Sequence, residues 1–175
     1  MTVIADIRQA HPWNGVDAAL FAAAGIKPAD RVLDIGCGTG TTTRIAARLA
    51  SRGYAVGVDI SAPLLRTAQK LTAAEKVANA SYQVADAQVH PFPPCGYDVI
   101  VSRGGMLSFP DPAAAFRNLA RALMPGGRLV LVSSRSDPDR VRAVLDGWEN
   151  VEVERHDGIR LVTAGRPRRM PGDAD

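Results

Sequence analysis

The sequence is poor in cysteine and in aromatic residues, and this excludes several classes of function. Its 175 residues include two cysteines, Cys37 and Cys95, without a CxxC pair or a nearby histidine cluster. That arrangement argues against a structural zinc site or a disulfide framework. The aromatic content is 5% and the net charge is only +3, whereas nucleic-acid binding favours stacking platforms and a wide basic face. We therefore expect neither a metal site nor a nucleic-acid partner.

Signals for membrane insertion and export are also missing. No apolar run approaches the roughly 18 residues that a membrane-spanning helix requires. Residues 1–6 lack the basic region and the apolar run of a signal peptide. The composition, 46% hydrophobic and 22% charged, is typical of a globular domain with a sizeable core. We expect a cytoplasmic protein that does not enter the membrane.

Short β-branched runs alternate with longer amphipathic stretches, which is typical of a parallel sheet flanked by helices. The predicted strands are rich in Val, Ile and Leu, as suits burial on both faces; they are Arg31–Ile35, Tyr54–Asp59, Ser81–Ala85, Tyr97–Ser102 and Arg128–Ser133. The predicted helices are Val16–Ala24, Thr41–Ser51, Ala62–Ala74, Pro112–Leu123 and Pro138–Gly147. Segment 88–96 contains three prolines and predicts a turn or a broken helix instead.

The end of the chain has a different pattern. Residues 151–154 alternate, Asp157-Gly158 supplies a tight-turn signal, and residues 159–163 form a second run, which together predict an antiparallel hairpin. The expected fold is α/β, a single doubly wound Rossmann-like domain whose seven-stranded sheet has five parallel strands and a C-terminal antiparallel hairpin. We assign residues 30–166 to this domain, residues 1–29 to an N-terminal helical lid or extension, and residues 167–175 to a disordered tail.

The most informative segment is the glycine loop at the end of the first strand, Asp34-Ile35-Gly36-Cys37-Gly38-Thr39-Gly40. Glycine tolerates positive φ and lets a ligand approach the backbone, and open α/β sheets bind ligands at the carboxyl ends of their strands. A dinucleotide fingerprint does not match, because threonine stands where its last glycine or alanine belongs. No P-loop Gly-Lys-Ser/Thr follows either. The ligand therefore need not carry a pyrophosphate.

The pattern D-x-G-x-G-x-G after a strand resembles the first motif of class I S-adenosylmethionine-dependent methyltransferases. Four further segments match that family in order and spacing, namely Gly57–Ser61, Val84–Ala87, Tyr97–Ser102 and Leu123–Leu129. Together the five motifs cover about residues 30 to 133. The resemblance implies the Rossmann-like fold, S-adenosylmethionine as the cofactor and methyl transfer as the reaction.

The resemblance also assigns residues to the cofactor. Asp59 ends the second strand, where a carboxylate can accept hydrogen bonds from both ribose hydroxyls, each charge-assisted contact being worth roughly 1.5–3 kcal/mol. Its alternative role is a helix N-cap, which Ser61 can supply. Ile60 is implied to pack on the adenine, while Asp86, alternatively a plain turn residue, and the Ala87 backbone read its edge. The full predicted set is Asp34, Gly36, Cys37, Gly38, Thr39, Gly40, Asp59, Ile60, Asp86, Ala87, Ser102 and Arg103.

The acceptor side is less clearly marked. The methyl group of S-adenosylmethionine is already activated, so the protein mainly has to align a nucleophile for in-line displacement, and orientation can supply an effective molarity of about 10⁵–10⁸ M. A general base is needed only for an acceptor that is protonated at neutral pH. The candidate catalytic residues are His90, as a base or a loop-ordering residue; Arg103, as an anion holder or a salt-bridge partner; and His11, within a lid.

Three functions stay open. The first is a methyltransferase for a small-molecule acceptor, and the second is a methyltransferase for protein or nucleic acid, although the Asn/Asp-Pro-Pro-aromatic signature of amino methylation is missing. The third is a non-catalytic or repurposed domain that needs a partner. Only residues 134–137 separate the fifth strand from the next helix, so the extra helical cap of many relatives is missing there. A homodimer or a partner subunit would then cover the open acceptor site.

Overall fold

The computed structural model describes residues 14–104, 106, 109–133, 138–156 and 158–167, which form a seven-stranded sheet flanked by helices. The strands are β1 (Arg31–Ile35), β2 (Tyr54–Asp59), β3 (Ala80–Val84), β4 (Tyr97–Arg103), β5 (Leu123–Ser133), β6 (Glu149–His156) and β7 (Ile159–Gly165). The helices are α1 (Asn14–Ala24), α2 (Thr41–Leu49), α3 (Ala62–Ala74), α4 (Pro112–Ala122) and α5 (Pro138–Val144).

The strand order confirms the predicted topology. The sheet runs β3-β2-β1-β4-β5-β7-β6. Its first five strands in this order are parallel, and β7 lies antiparallel between β5 and β6. The chain order reverses between β1 and β4, which is the switch point where open α/β sheets bind ligands.

Alternate residues of the central strands enter two separate cores, because both faces of the sheet are covered. On one face, Val99 and Val101 of β4 pack with Leu20 and Phe21 of α1 and with residues of α2. On the other face, Ile100 belongs to a core with residues of α4 and α5. Helix α1 is thus part of the packed domain and lies next to β4.

The largest difference from the predicted bounds is at β5. This strand was expected to begin at Arg128, but Leu123 already pairs with Tyr97 of β4, before an irregularity that ends where Arg128 pairs with Val99. The strand is thus longer by residues 123–127, a segment that contains proline and two glycines and whose sequence predicts only a turn. Helix α5 also ends early, at Val144, and Gly147, expected to end it, has a φ of +80°.

The crossover between β3 and β4 has no helix, as its three prolines predict. It begins with a turn in which the Val89 and His90 N–H groups donate to the Asp86 carbonyl. None of the described helices has the length and apolar run that a membrane-spanning helix requires.

Candidate cofactor site

A cleft of about 440 Å³ lies at the carboxyl ends of β1, β2 and β3. Five residues of the predicted cofactor set line it: Gly36, Asp59, Ile60, Asp86 and Ala87. The wall toward α4 adds Gly104, Phe109 and Pro110. The structure therefore brings together, at one edge of the sheet, residues from three separate motifs of the sequence.

A larger groove, of about 710 Å³, runs between α1 and the terminal hairpin. Its walls include Ala19 and Ala23 of α1 and the carboxylates Glu152 and Glu154 of β6. Of the residues predicted for the cofactor or for catalysis, none that the structure describes lines it. Cavity volume alone therefore does not identify the cofactor site. The candidate site is the smaller cleft at the strand ends.

The glycine loop turns sharply over the end of β2. The N–H groups of Gly36 and Cys37 both donate to the Val58 carbonyl, at 2.9 and 3.1 Å. Gly36 and Gly38 have φ of +68° and +54°, and a side chain at Gly38 would meet nothing within 4 Å. Gly40, in contrast, packs against the Tyr82 ring, which a methyl group there would overlap. A methyl group at Gly36 would make only an ordinary contact with the Gly104 carbonyl oxygen, at 3.9 Å. Gly38 thus borders open space and Gly36 has room, whereas Gly40 is needed for packing.

Asp34 lies fully buried beneath this loop. Its Oδ2 accepts hydrogen bonds from the Thr42 and Thr43 hydroxyls, each at 2.6 Å. Its Oδ1 has no hydrogen-bond partner among the described residues. Burial raises the pKa of Asp34 to about 6, although the two hydroxyls and the nearby Arg103 charge act in the opposite direction. A buried carboxylate oxygen without a partner is rare and favours a donor from a ligand.

The Asp59 carboxylate lines the cleft and also forms two hydrogen bonds within the protein. Its Oδ2 accepts from the Gly38 N–H at 3.0 Å, and its Oδ1 accepts from the Ser61 N–H at 2.9 Å. Ser61 is the N-cap residue of α3, but its side chain makes no capping hydrogen bond. Asp59 is therefore not the N-cap residue of α3; that position belongs to Ser61, whose own N–H donates to Asp59. The neighbouring Ile60 side chain is 76% exposed, an unusual position for a large aliphatic residue.

Asp86 is held in place by Gln88. The Gln88 backbone N–H donates to Asp86 Oδ1, and the Gln88 Nε2 lies 3.0 and 3.1 Å from the two carboxylate oxygens. These hydrogen bonds hold the pKa of Asp86 below its usual value. Gln88 Oε1 accepts from the Asp111 N–H, and Asn118 Nδ2 donates to the carbonyls of Ala87 and His90. The turn after β3 is therefore fastened to α4.

Cys37 and Thr39, the other residues of the loop, make packing and hydrogen-bond contacts within the protein. Cys37 is buried, and burial raises the pKa of its thiol, so it is a small packed residue without thiolate character. The Thr39 carbonyl accepts from Nη1 of the buried Arg44, whose Nε lies 3.0 Å from Glu75 Oε1. The loop is thus supported from below by a charged pair.

Ser102 and Arg103, at the end of β4, both form hydrogen bonds within the protein. The Ser102 hydroxyl is fully buried and donates to the Ile35 carbonyl at 2.9 Å, so it joins β4 to the end of β1. Arg103 Nη1 donates to both carboxylate oxygens of Asp17 in α1, at 3.0 and 2.9 Å. The salt-bridge alternative that the sequence left open for Arg103 is present. Their roles toward a cofactor stay predictions.

The candidate bases are less closely associated with the cleft. The His90 ring lies edge-on to Phe92, with ring centroids 4.8 Å apart, and it is not part of the cleft lining. This geometry suits its loop-ordering alternative, and its role as a base stays a prediction. His11 lies outside the described residues.

Four supporting residues escaped sequence reasoning. Thr42 and Thr43 had a usable signal, because hydroxyls in the first helical turn after a glycine loop are near the preceding strand end. Gln88 had a local signal toward Asp86, two residues before it, but its contact with Asp111 and the contacts of Asn118 join different elements and had none. Such contacts depend on the packing of the whole domain.

The described residues fit S-adenosylmethionine. The unpartnered Asp34 Oδ1 suits an ammonium group, and the open space over Gly38 leaves room beside the backbone. Asp59 and the exposed Ile60 form a carboxylate and an apolar surface next to each other in the cleft, as a ribose and an adenine require.

Comparison with known proteins gives the same family. A family model described as a methyltransferase domain matches residues 26–157. The ubiquinone/menaquinone biosynthesis C-methyltransferase UbiE of Teredinibacter turnerae is 39% identical over 111 residues, which are 62% of this chain and 45% of that protein. The chain thus spans less than half the length of this curated relative.

Solved structures share the fold. Phosphoethanolamine N-methyltransferase 2 of Haemonchus contortus, in complex with S-adenosyl-L-methionine, has a TM-score of 0.74 at 27% identity, over 81% of this chain and 38% of that one. A SAM-dependent methyltransferase of Aquifex aeolicus has a TM-score of 0.74 at 17% identity, over 92% and 97% of the two chains, which shows the fold alone. Because the family model matches well over half of the chain, this protein belongs to the family of S-adenosylmethionine-dependent methyltransferase domains, as its five motifs predict.

Proposed function

We propose that this protein binds S-adenosylmethionine in the cleft at the ends of β1, β2 and β3 and transfers its methyl group to a small molecule. The observation that carries the proposal is the juxtaposition of Asp59 and the exposed Ile60 in a cleft that also contains the open backbone of Gly36. This arrangement offers an acceptor pair for ribose hydroxyls beside an apolar surface for a flat base.

Each end of the cofactor has a proposed set of contacts. Asp59 accepts from the ribose hydroxyls, Ile60 packs on the adenine, and Asp86 receives the adenine amino group. At the other end, the glycine loop makes room for the amino-acid part, and Asp34 Oδ1 accepts from its ammonium group. Because Asp34 is buried, such a charge-assisted contact is stronger there than it would be in water.

The cofactor, when bound, supplies a methyl group on a positively charged sulfur. The chain's own task is to orient the cofactor and the acceptor in line and to exclude water. Phe109 and Pro110 give the cleft an apolar wall on the side of α4, while Met106 is buried. This wall favours an acceptor with an apolar or aromatic body, and a general base at His90 is required only for an acceptor that must lose a proton.

The names of the relatives support a small-molecule acceptor. UbiE of T. turnerae is a ubiquinone/menaquinone biosynthesis C-methyltransferase, and a second relative, from Lactiplantibacillus plantarum, is a demethylmenaquinone methyltransferase. We propose an aromatic, quinone-like ring as the first acceptor class to be tested. Since β5 ends at Ser133 and α5 begins at Pro138, we further propose that a second subunit covers the acceptor side.

The test is isothermal titration of the purified protein with S-adenosylmethionine and S-adenosylhomocysteine, followed by mass spectrometry of candidate acceptors incubated with protein and cofactor. We expect micromolar binding of both ligands and methylation of a hydroxylated aromatic ring. Binding without transfer to any acceptor would favour the repurposed domain. The absence of binding by the folded protein would refute the proposed function.

A further inference from the structure

Helix α1 contributes a buried carboxylate next to the candidate site. Asp17 is only 2% exposed, and both of its oxygens accept from Nη1 of Arg103. Arg103 is the last residue of β4, and the next residue, Gly104, lines the cleft. The pair therefore joins α1 to the rim of the cleft, across 86 positions of sequence.

A second carboxylate lies on the neighbouring strand: Asp34 of β1 pairs in register with Val101 of β4, two residues before Arg103, so the Asp34 and Arg103 side chains lie on the same face of the sheet. The charge of Arg103 acts on Asp34 and lowers the pKa of that carboxyl, whereas the charge of Asp17 raises it. Two carboxylates and one guanidinium thus lie within mutual electrostatic range at the ends of α1, β1 and β4. Of the two carboxylates, Asp17 forms the salt bridge with Arg103, whereas Asp34 Oδ1 has no hydrogen-bond partner among the described residues.

We propose that Asp17 is a positioning residue of the cofactor site: by pairing with Arg103, it keeps this guanidinium away from Asp34 and leaves Asp34 Oδ1 to the ammonium group of the cofactor. This inference rests on the proposed function. Asp17 acts through Arg103 and does not itself touch the cofactor.

In a partly buried site, the attraction between the Arg103 guanidinium and the Asp34 carboxylate is strong enough to matter. A guanidinium that loses one buried carboxylate is drawn to another within range, because the attraction between charges grows as water is excluded. Pairing of Arg103 with Asp34 would then neutralise the carboxylate and occupy its free oxygen. Only a ligand that needs this oxygen would bind more weakly.

Two ligands separate this role from a general effect on the fold. S-adenosylhomocysteine carries the amino-acid end, whereas 5′-methylthioadenosine has the same adenosine and thioether without the ammonium and carboxylate groups. In calorimetric titrations, Asp17→Asn should weaken the binding of S-adenosylhomocysteine about tenfold or more, the loss expected for a charged hydrogen bond. Its binding of 5′-methylthioadenosine should change less than about threefold.

A matched control changes the other end of the same helix. The Arg128 side chain donates to the carbonyls of Ala24 and Gly25 at the C-terminus of α1. Arg128→Gln should lower the thermal midpoint without changing the affinity for either ligand, since it leaves the Asp17–Arg103 pair intact. If Asp17→Asn does not fold, Asp17→Ser, which removes the charge and leaves room for water, is measured in its place.

The outcomes are distinguishable. A selective loss of S-adenosylhomocysteine binding supports the positioning role. An equal loss of both ligands, or an unchanged affinity for S-adenosylhomocysteine, overturns it while the proposed function stands. If the wild-type protein binds neither ligand, the proposed function fails first and the inference falls with it.

Discussion

The Asp59 carboxylate accepts a hydrogen bond from the Gly38 N–H over 3.0 Å, which ties the tip of β2 to the middle of the glycine loop. The same carboxylate accepts from the N–H of Ser61, the N-cap residue of α3. An ionised carboxylate has about four lone-pair sites, so these two bonds leave capacity for ribose hydroxyls. One side chain can therefore shape the loop and serve the ligand that the loop receives.

Replacement of Asp59 separates these two tasks. We expect Asp59→Ala to weaken the binding of S-adenosylhomocysteine by about tenfold or more, because charge-assisted hydrogen bonds to the ribose are lost. The free energy of unfolding should fall by about 1–3 kcal/mol, because the hydrogen bonds from the Gly38 and Ser61 N–H groups are lost as well. Calorimetric titration and urea unfolding measure the two effects, and an unchanged affinity would remove Asp59 from the site.

The exposed Ile60 side chain should matter for binding and not for folding. Because Ile60 is 76% exposed, Ile60→Ala should change the free energy of unfolding by less than about 0.5 kcal/mol. It should weaken the binding of 5′-methylthioadenosine by about three- to tenfold, since an apolar contact with adenine is lost. The control is Leu71→Ala, an exposed aliphatic residue of α3 outside the cleft lining, which should leave affinity unchanged.

Asp34 should make the stability of the ligand-free protein depend on pH. Its pKa is about 6 in the folded state against 3.8 as the ordinary value, so between these values the folded state binds more protons than the unfolded state. The contribution of Asp34 to stability is therefore fully present below about pH 4 and is lost as the pH rises through 6. At about 1.4 kcal/mol per pKa unit, the total change is of the order of 3 kcal/mol.

Asp34→Asn isolates this effect, because an amide oxygen still accepts from Thr42 and Thr43. Urea unfolding of both proteins between pH 4 and pH 8 gives the difference in their free energies of unfolding. The wild-type protein should lose stability relative to the variant up to about pH 6 and then no further. Parallel stability curves would show that Asp34 titrates normally.

The glycines of the loop should respond differently to alanine. Gly38 faces open space, so Gly38→Ala should cost only the left-handed backbone conformation, about 1–2 kcal/mol, while its methyl group obstructs the cofactor. Gly40→Ala has the same backbone cost and also overlaps Tyr82, so its loss of stability should be about 1–3 kcal/mol greater. Thermal unfolding and titration with S-adenosylhomocysteine compare them; equal losses of stability would contradict the assignment.

The sequence predicts the elements whose ends carry local signals. The bounds of β1, β2 and α3 agree with prediction, since glycine, aspartate and proline mark their ends. The early start of β5 could not be predicted, because Leu123 is in a strand only through its pairing with Tyr97.

The candidate site divides in the same way. Gly36, Asp59 and Asp86 follow strands within recognisable motifs, so their meeting in one cleft follows from the parallel order of the sheet. The pairing of Asp17 with Arg103 depends on how α1 crosses β4, and no local pattern encodes that packing.

The fastening of the β3 turn to α4 has a consequence for redesign. The segment 104–110 starts beside Arg103, which Asp17 holds, and ends before Asp111, which Gln88 holds. Its two ends are therefore anchored by residues that lie outside the segment. Under the proposed function, a graft of a different 104–110 segment should alter acceptor preference while both anchors stay in place.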